Sequence, residues 1–131
     1  MALIPTLILK DSTTFSDEVS FSVTDSLTVT APAQSLSTAI VTTTGGNHTI
    51  ITAATGIRYL FVRHTGLTGA DATTASTARL DVEDEDNNTL VGISAGEFAF
   101  FPCSVAEASK AIQLQSSSGN IKVEYAYWTK G

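Results

Sequence analysis

The stretch "AGEFAFFP", residues 95–102, places three of the protein's six phenylalanines within four positions. In an extended chain successive side chains point to opposite faces, so Phe98 and Phe100 share one face while Ala99 and Phe101 share the other. A strand that is apolar on both faces is buried on both, or is covered by a partner on one of them. We therefore predict a central core strand here, with Phe101 positioned to meet a neighbouring chain or the far end of the core.

Short segments of alternating apolar and polar residues recur along the rest of the chain, and turn-forming residues separate most of them. Nine or ten strands are expected, with hairpin turns around Gly45, Asp86 and Gly119. This pattern predicts an all-β protein, a single-domain β-sandwich over residues 15–131 whose strand order is compatible with a jelly roll. Residues 1–14 are predicted to form an N-terminal edge strand or arm.

The composition narrows the range of functions. The 131 residues are enough for one domain; 43% are hydrophobic, 15% are charged and about a quarter are Ser or Thr. A net charge of −6 with only seven scattered Lys and Arg residues argues against binding to nucleic acid or to an anionic membrane. The single cysteine, Cys103, excludes an intramolecular disulfide.

The N-terminal stretch "MALIPTLILK" differs from the other segments because it is apolar on both faces. Leu3, Ile4, Leu7 and Ile8 flank Pro5, which cannot donate a hydrogen bond to a sheet, so the segment is predicted to be an edge strand or an arm. Such a strand is either covered by its own domain, the reading that we favour slightly, or adds to a sheet of a neighbouring subunit. The stretch lacks the features of a secretion signal, which predicts a protein that is not exported from the cytoplasm.

The densest cluster of charge is "DVEDEDNN", residues 81–88. Asp84, Asp86 and Asn88 have the alternating spacing of a calcium loop, but the glycine and the closing glutamate of an EF-hand are missing. In a strand Asp81 and Glu83 would share one face with Glu85, so we predict a solvated acidic face.

No catalytic, cofactor-binding or metal-binding residues are predicted. His48 and His64 lack a matching set of carboxylates and are assigned to strand-end or surface packing. Cys103 has no motif around it and is interpreted as a small buried hydrophobic residue. The capping-box pattern at Ser104–Glu107 predicts at most one helical turn. The polar loop Thr65–Thr77 is long enough to be either functional or mobile.

The C-terminal strand separates into two faces. Val123, Tyr125 and Tyr127 share a face that is predicted to belong to the core. On the other face Trp128 follows polar and small residues, and it is interpreted as an anchor for a partner or as a cap on the end of the core.

Four segments of the C-terminal half form a recognisable series: "IRYLFVRHTG" (57–66), "ARLDVEDEDNNTLVGIS" (78–94), "AGEFAFFP" (95–102) and "IKVEYAYW" (121–128). This series resembles small structural proteins of tailed bacteriophage virions, particularly those of marine phages. The resemblance implies a β-sandwich subunit that decorates the head or forms part of the tail.

Three functions remain open. The first is a non-enzymatic virion protein, a capsid decoration (cement) protein that tiles the head through lattice contacts. It is predicted to act as a homo-oligomer, a trimer, and to contact virion proteins such as the major capsid protein. The second is a tail, neck or fibre component of the same particle. The third is a carbohydrate-binding adhesion module that uses Thr65–Thr77 and Trp128.

Overall fold

The computed structural model describes residues 6–9, 19–22, 27–31, 36–43, 48–52, 58–103 and 110–130. These residues contain eleven strands and no helix, and hence no helix with the length and apolar character of a membrane span. The strands are β1 (Thr6–Leu9), β2 (Val19–Ser22), β3 (Leu27–Ala31), β4 (Ser37–Val41), β5 (His48–Ile51), β6 (Arg58–His64), β7 (Leu80–Asp84), β8 (Thr89–Ile93), β9 (Phe98–Cys103), β10 (Ile112–Ser116) and β11 (Ile121–Lys130). The predicted helical turn at Ser104–Glu107 lies outside the described residues.

The strands from β4 to β11 form one long hairpin that is folded over on itself. β7 pairs with β8, β6 with β9, β5 with β10 and β4 with β11, and all of these pairs are antiparallel. Two further pairs, β11 with β6 and β10 with β7, complete a sheet of order β5-β10-β7-β8 and a sheet of order β3-β11-β6-β9. Nested pairing divided between two sheets is the topology of a jelly roll, so the predicted all-β sandwich is confirmed.

The ten-residue strand β11 organises the second sheet. β6 covers one of its edges along Val123–Thr129, while β4 pairs with the first half of the opposite edge and β3 with the second half. β11 and β6 are therefore the central strands of this sheet, and β9 lies at its margin.

The prediction that "AGEFAFFP" forms a central strand is wrong. Among the described strands β9 pairs only with β6 and therefore lies at the edge of its sheet; Phe98 is 66% exposed, while Ala99 and Phe101 are only partly buried against the core. Alternation distinguishes the two faces of a strand, but it carries no information on how many neighbouring strands it has.

Aliphatic side chains from both sheets form the interior of the sandwich. The fully buried members are Val41, Leu60, Val62, Leu80, Val82, Ile93, Ile112, Leu114, Ile121 and Val123. Tyr125 and Tyr127 pack against this cluster, so the predicted core face of the C-terminal strand is confirmed.

Of the three predicted hairpins, only one joins paired strands. β7 and β8 pair across a turn in which Asn87 has a φ of 64°, a left-handed conformation that asparagine tolerates. The turns around Gly45 and Gly119 were expected to form hairpins, but β4 and β5 lie in different sheets, as do β10 and β11. Turn residues predict a reversal of direction, whereas the sheet that the next strand joins depends on long-range pairing.

The N-terminal strand pairs within its own chain. β1 is antiparallel to β2, with Leu7 opposite Phe21 and Ile8 opposite Ser20, and the two strands form a sheet of their own. Leu3, Ile4 and Pro5 lie outside the described residues, so their assignment as subunit or capsid contacts stays a prediction.

Candidate functional site

The outer side of the five-stranded sheet carries aromatic side chains from three neighbouring strands. This aromatic face consists of Tyr59, Phe61, Phe98, Phe100 and Trp128. The ring of Phe100 stacks on Tyr59 with centroids 5.8 Å apart and meets Trp128 edge-on at 6.0 Å, while Phe61 and Phe98 are 6.1 Å apart. Pairs at these separations stabilise one another by about 0.5–1.5 kcal/mol beyond the area that they bury.

The strand register explains why these rings meet. Trp128 on β11 lies opposite Tyr59 on β6, and Phe61 lies opposite Phe100 on β9. Ala126 on β11 lies opposite Phe61 and also points to the outer side, yet it is only 3% exposed. The rings and this small residue together form a continuous apolar surface rather than scattered exposed residues.

The structure places the two predicted contact residues of the C-terminal half differently. Trp128 lies in the aromatic face and is therefore part of a cluster. Phe101 points to the interior and packs against the core, so Phe98 and Phe100 are the outward-facing members of its strand. In the sequence, the alternation in "YLF" at 59–61 and in "FAF" at 98–100 indicates that each strand carries two aromatic residues on one face. Only the register of the sheet brings the two pairs together.

An open groove lies beside the aromatic face, where edge strands β8 and β9 approach one another. Its volume is about 410 Å³, and its lining residues are Val91, Gly92, Ile93, Gly96, Glu97, Phe98 and Ala99. The turn that joins the two strands is fixed by a hydrogen bond of 2.8 Å from the Ser94 amide to Glu97 Oε2, and by Gly96, whose φ of 83° suits glycine. Leu90 on β8, which does not line the groove, is 45% exposed.

The acidic strand is not the solvated face that the sequence predicts. Asp81, Glu83 and Asp84 are each at least 94% buried. Arg79 holds Asp81 through two hydrogen bonds, of 2.6 Å from Nε and 2.9 Å from Nη2. Asp84 accepts hydrogen bonds from the side chain of Asn88, from the Asn88 amide and from the Asp86 amide, and these bonds, in that order, lower its pKa.

The oxygens with calcium-like spacing therefore organise the turn between β7 and β8. Asp86 pairs with Lys110 across the turn. Within the described part of the chain, no three His, Cys, Asp or Glu side chains converge in a way that could hold a metal ion.

The buried Glu83 leads to a pH-dependent prediction. Burial, followed by the charges of Asp81 and Asp84, raises the pKa of Glu83 above its ordinary value of 4.5. The folded protein then holds this proton more tightly than the unfolded chain, so stability is lost as pH rises above 4.5 and the carboxylate becomes charged. We expect Glu83→Gln to be more stable than the wild type at pH 7 and to lose this advantage at pH 4.

Urea unfolding at the two pH values measures the effect. Glu85→Gln, on the exposed neighbouring residue, is the matched control and should change little at either pH. A Glu83→Gln protein that is less stable than the wild type at pH 7 would show that the charged form is favoured.

The loop Thr65–Thr77 is ordered by its own hydrogen bonds. The amide of Thr68 donates to Thr74 O (2.9 Å) and the amide of Ser76 donates to Gly66 O (2.9 Å), which makes a small hairpin. The carboxylate of Asp71 caps its tip and accepts bonds from the amide and hydroxyl groups of both Thr73 and Thr74. These bonds lower the pKa of Asp71 to about 2, and the bond from the Thr74 hydroxyl has the largest effect.

Asp71 gives a second prediction for this loop. The pKa of Asp71 in the folded protein lies below the ordinary 3.8. The stabilisation that its carboxylate gives to the folded state is therefore complete above pH 3.8 and is lost as pH falls towards 2. We expect Asp71→Ala to increase hydrogen exchange at the Thr73 and Thr74 amides, and Asp71→Asn, which keeps an acceptor oxygen, to do so less. Unchanged exchange in Asp71→Ala would show that the tip is ordered by other contacts.

His64 is fully buried and connects the two ends of this loop. The amide of Gly66 donates to His64 Nδ1 (2.9 Å), which therefore carries no proton, so Nε2–H donates to Ala78 O (2.9 Å). The main chain of His64 also exchanges hydrogen bonds with Gly96 and Glu97 at the start of β9. The prediction of strand-end packing holds for its position, but it missed this structural role. His48 is partly exposed at the start of β5.

Cys103 is buried against the core, as its assignment to a small hydrophobic residue predicts. Burial raises the pKa of its thiol to about 11, so the thiolate, the nucleophilic form, is disfavoured.

No family model matches the chain, and comparisons with curated proteins and with solved structures find no significant similarity. The fold and the aromatic face define the class of protein as a jelly-roll sandwich with an apolar outer surface. The resemblance to phage structural proteins is carried by the sequence motifs and stays a prediction.

Proposed function

We propose that this chain is a non-enzymatic structural protein of a tailed-phage particle, a capsid decoration protein that stabilises the head. The observation that carries the proposal is the aromatic face, which includes Phe98 at 66% exposure on a rigid sandwich. Apolar surfaces of this kind mark sites of protein association. The occupants that we propose are sister copies in a trimer and a virion protein such as the major capsid protein.

Charge and chemistry also favour a role in assembly. The net charge of −6 is spread over few charged residues, so contacts depend on shape and apolar area rather than on ion pairs. Each contact need bury only a modest area, because many copies on a symmetric lattice act together.

Mass spectrometry of purified particles, with a copy-number estimate, tests the proposal. Hundreds of copies per particle are the expected result for a head protein. A handful of copies would instead place the chain in the tail, neck or fibre, and its absence from particles would overturn the virion assignment altogether.

Binding to carbohydrate is the second candidate, because Trp128, Phe100 and Tyr59 form a platform on which a sugar ring could stack. The loop Thr65–Thr77 does not contribute to the same site. Gly69 in the loop approaches Lys122, and Trp128 lies six residues further along β11, about 20 Å away.

A glycan array discriminates between the two functions. Specific binding that Trp128→Ala abolishes, and that Lys122→Ala at the far end of β11 leaves intact, would favour a carbohydrate-binding module. Absence of binding leaves the structural role as the better explanation.

A further inference from the structure

We propose that the open edge of β9 receives the β1–β2 hairpin of a second copy of this chain, which extends the five-stranded sheet. This inference rests on the proposed structural function and names the partner and the contact through which copies associate. Four observations carry it: main-chain groups of β9 with which no described strand pairs, the length and lack of charge of that strand, the separate hairpin, and the short link that follows the hairpin.

The alternation of hydrogen bonds along β9 shows which of its main-chain N–H and C=O groups face β6 and which face away from it. The amide of His64 on β6 donates to Glu97 O (3.0 Å), just before β9 begins. Hydrogen-bonded positions alternate along an antiparallel pair, so the main-chain groups of Ala99 and Phe101 face β6. Those of Phe98 and Phe100 face away, and among the described strands only β6 pairs with β9.

Pro102 independently supports this assignment of the main-chain groups. It occupies the next outward-facing position, where a residue without an N–H costs the sheet no hydrogen bond. The edge therefore offers complete donor and acceptor pairs at Phe98 and Phe100 and a carbonyl at Pro102, enough for a short strand such as the four-residue β1.

β9 is the longest of the strands at the described sheet margins, and none of its residues is charged. Natural edge strands are kept from pairing with other chains by short length, charge, bulges or proline, and Pro102 near the end of β9 is such a residue. β9 has six residues and no charge, whereas β5 has four residues and β8 has five with an irregular register against β7. Phe98 and the groove beside it add apolar surface to this edge.

The β1–β2 hairpin needs such an edge. Its two strands of four residues form a sheet that is joined to neither sheet of the sandwich by hydrogen bonds between described strands. A two-stranded sheet is marginally stable in water and requires a further strand or a packed surface. The sequence "TLIL" of β1 is uncharged, like that of β9, so pairing brings no unpaired charge into the sheet.

The length of the chain indicates that the donor is a different copy. Ser22 at the end of β2 and Leu27 at the start of β3 are five residues apart, which spans at most about 18 Å. β3 lies at the margin opposite β9, so β1 added beside β9 would be four strand spacings from β3, about 19 Å, and β2, from which the link leaves, would be five spacings away, about 24 Å. The hairpin of the same chain therefore falls short of this edge, whereas that of a neighbour has no such restriction. Contacts between unlike surfaces give a closed ring when the rotation between copies closes, as the trimer proposed above requires.

Cross-linking between two differently tagged chains tests the inference directly. Both chains carry Cys103→Ala so that no native thiol interferes. The first chain also carries either Leu7→Cys or Ile8→Cys, because adjacent residues of a strand point to opposite faces. The second chain also carries Phe98→Cys. After mixing and mild oxidation we expect a disulfide between the two chains for one of the two positions. Leu90→Cys, an exposed residue on the other edge strand, replaces Phe98→Cys as the matched control and should cross-link at background level.

Light scattering provides a second readout that does not depend on cysteine geometry. Phe98→Lys, at an exposed position, is expected to raise the concentration for half-assembly roughly tenfold or more without changing the circular dichroism spectrum. Leu90→Lys should leave assembly unchanged.

Cross-linking no stronger than that of the Leu90→Cys control, or a disulfide that forms within one doubly substituted chain at high dilution, would overturn the inference. So would normal assembly of folded Phe98→Lys. If these results came with hundreds of copies per particle, the decoration function would stand and only the arm-to-edge contact would fail.

Discussion

Replacing His64 with alanine is expected to lower the free energy of unfolding by about 3–5 kcal/mol, because it leaves a cavity and removes two buried hydrogen bonds. The imidazole is fully buried and joins Gly66, at the start of the loop Thr65–Thr77, to Ala78 just after it. In the variant the Gly66 amide and the Ala78 carbonyl lose their partners, and an unsatisfied buried polar group costs about 1–3 kcal/mol. Urea unfolding measures the change, and hydrogen exchange should increase at Gly66 and Ser76.

The control is His48→Ala, on a partly exposed histidine at the start of β5, for which a change below about 1 kcal/mol is expected. His64→Gln keeps polar atoms near both partners and should recover part of the loss. If the two alanine variants were equally stable, the imidazole of His64 would not be the link between the two ends of the loop.

Replacing Leu60 with alanine is expected to cost about 2–5 kcal/mol, the usual range for removing a fully buried leucine from a well-packed core. Leu60 lies on the central strand β6, at the interface of the two sheets, and has no exposed surface. The neighbouring strands β9 and β11 pair with β6 on both sides and limit how far the structure can close around the cavity. Thermal and urea unfolding of the purified variant measure the loss.

Leu90→Ala makes the same chemical change at a site that is 45% exposed on an edge strand, so it should cost much less. Phe98→Ala extends the comparison to the Phe-rich strand. If that strand were central, this change would cost about 3–5 kcal/mol, but for an exposed edge position we expect less than about 1.5 kcal/mol. A severe loss in Phe98→Ala alongside a mild one in Leu60→Ala would contradict the observed sheet order.

Local patterns predicted a considerable part of this fold. Alternation assigned Val123, Tyr125 and Tyr127 to the core face, and the Asp and Asn residues near Asp86 predicted the β7–β8 hairpin; both are confirmed. A further signal was present at Pro102, because a proline within a strand favours an edge position. It was outweighed by the apolar character of both faces of "AGEFAFFP".

Other properties could not be read from local patterns. The burial of Asp81 and Glu83 depends on what covers the outer side of β7, and alternation alone assigns both residues to solvent. The aromatic face combines rings from β6, β9 and β11, which only the register of the sheet brings within about 6 Å of one another.

The sequence by itself determined that the protein is all-β, which side chains share a face, and where the chain reverses, because each of these follows from steric preferences over a few residues. The tertiary structure alone decided which strands are central, which edges stay open and which rings form the aromatic face. These depend on hydrogen bonds between strands far apart in the chain. The same alternating pattern satisfies a strand with one neighbour or with two, so only the complete set of pairings distinguishes a core strand from an open edge.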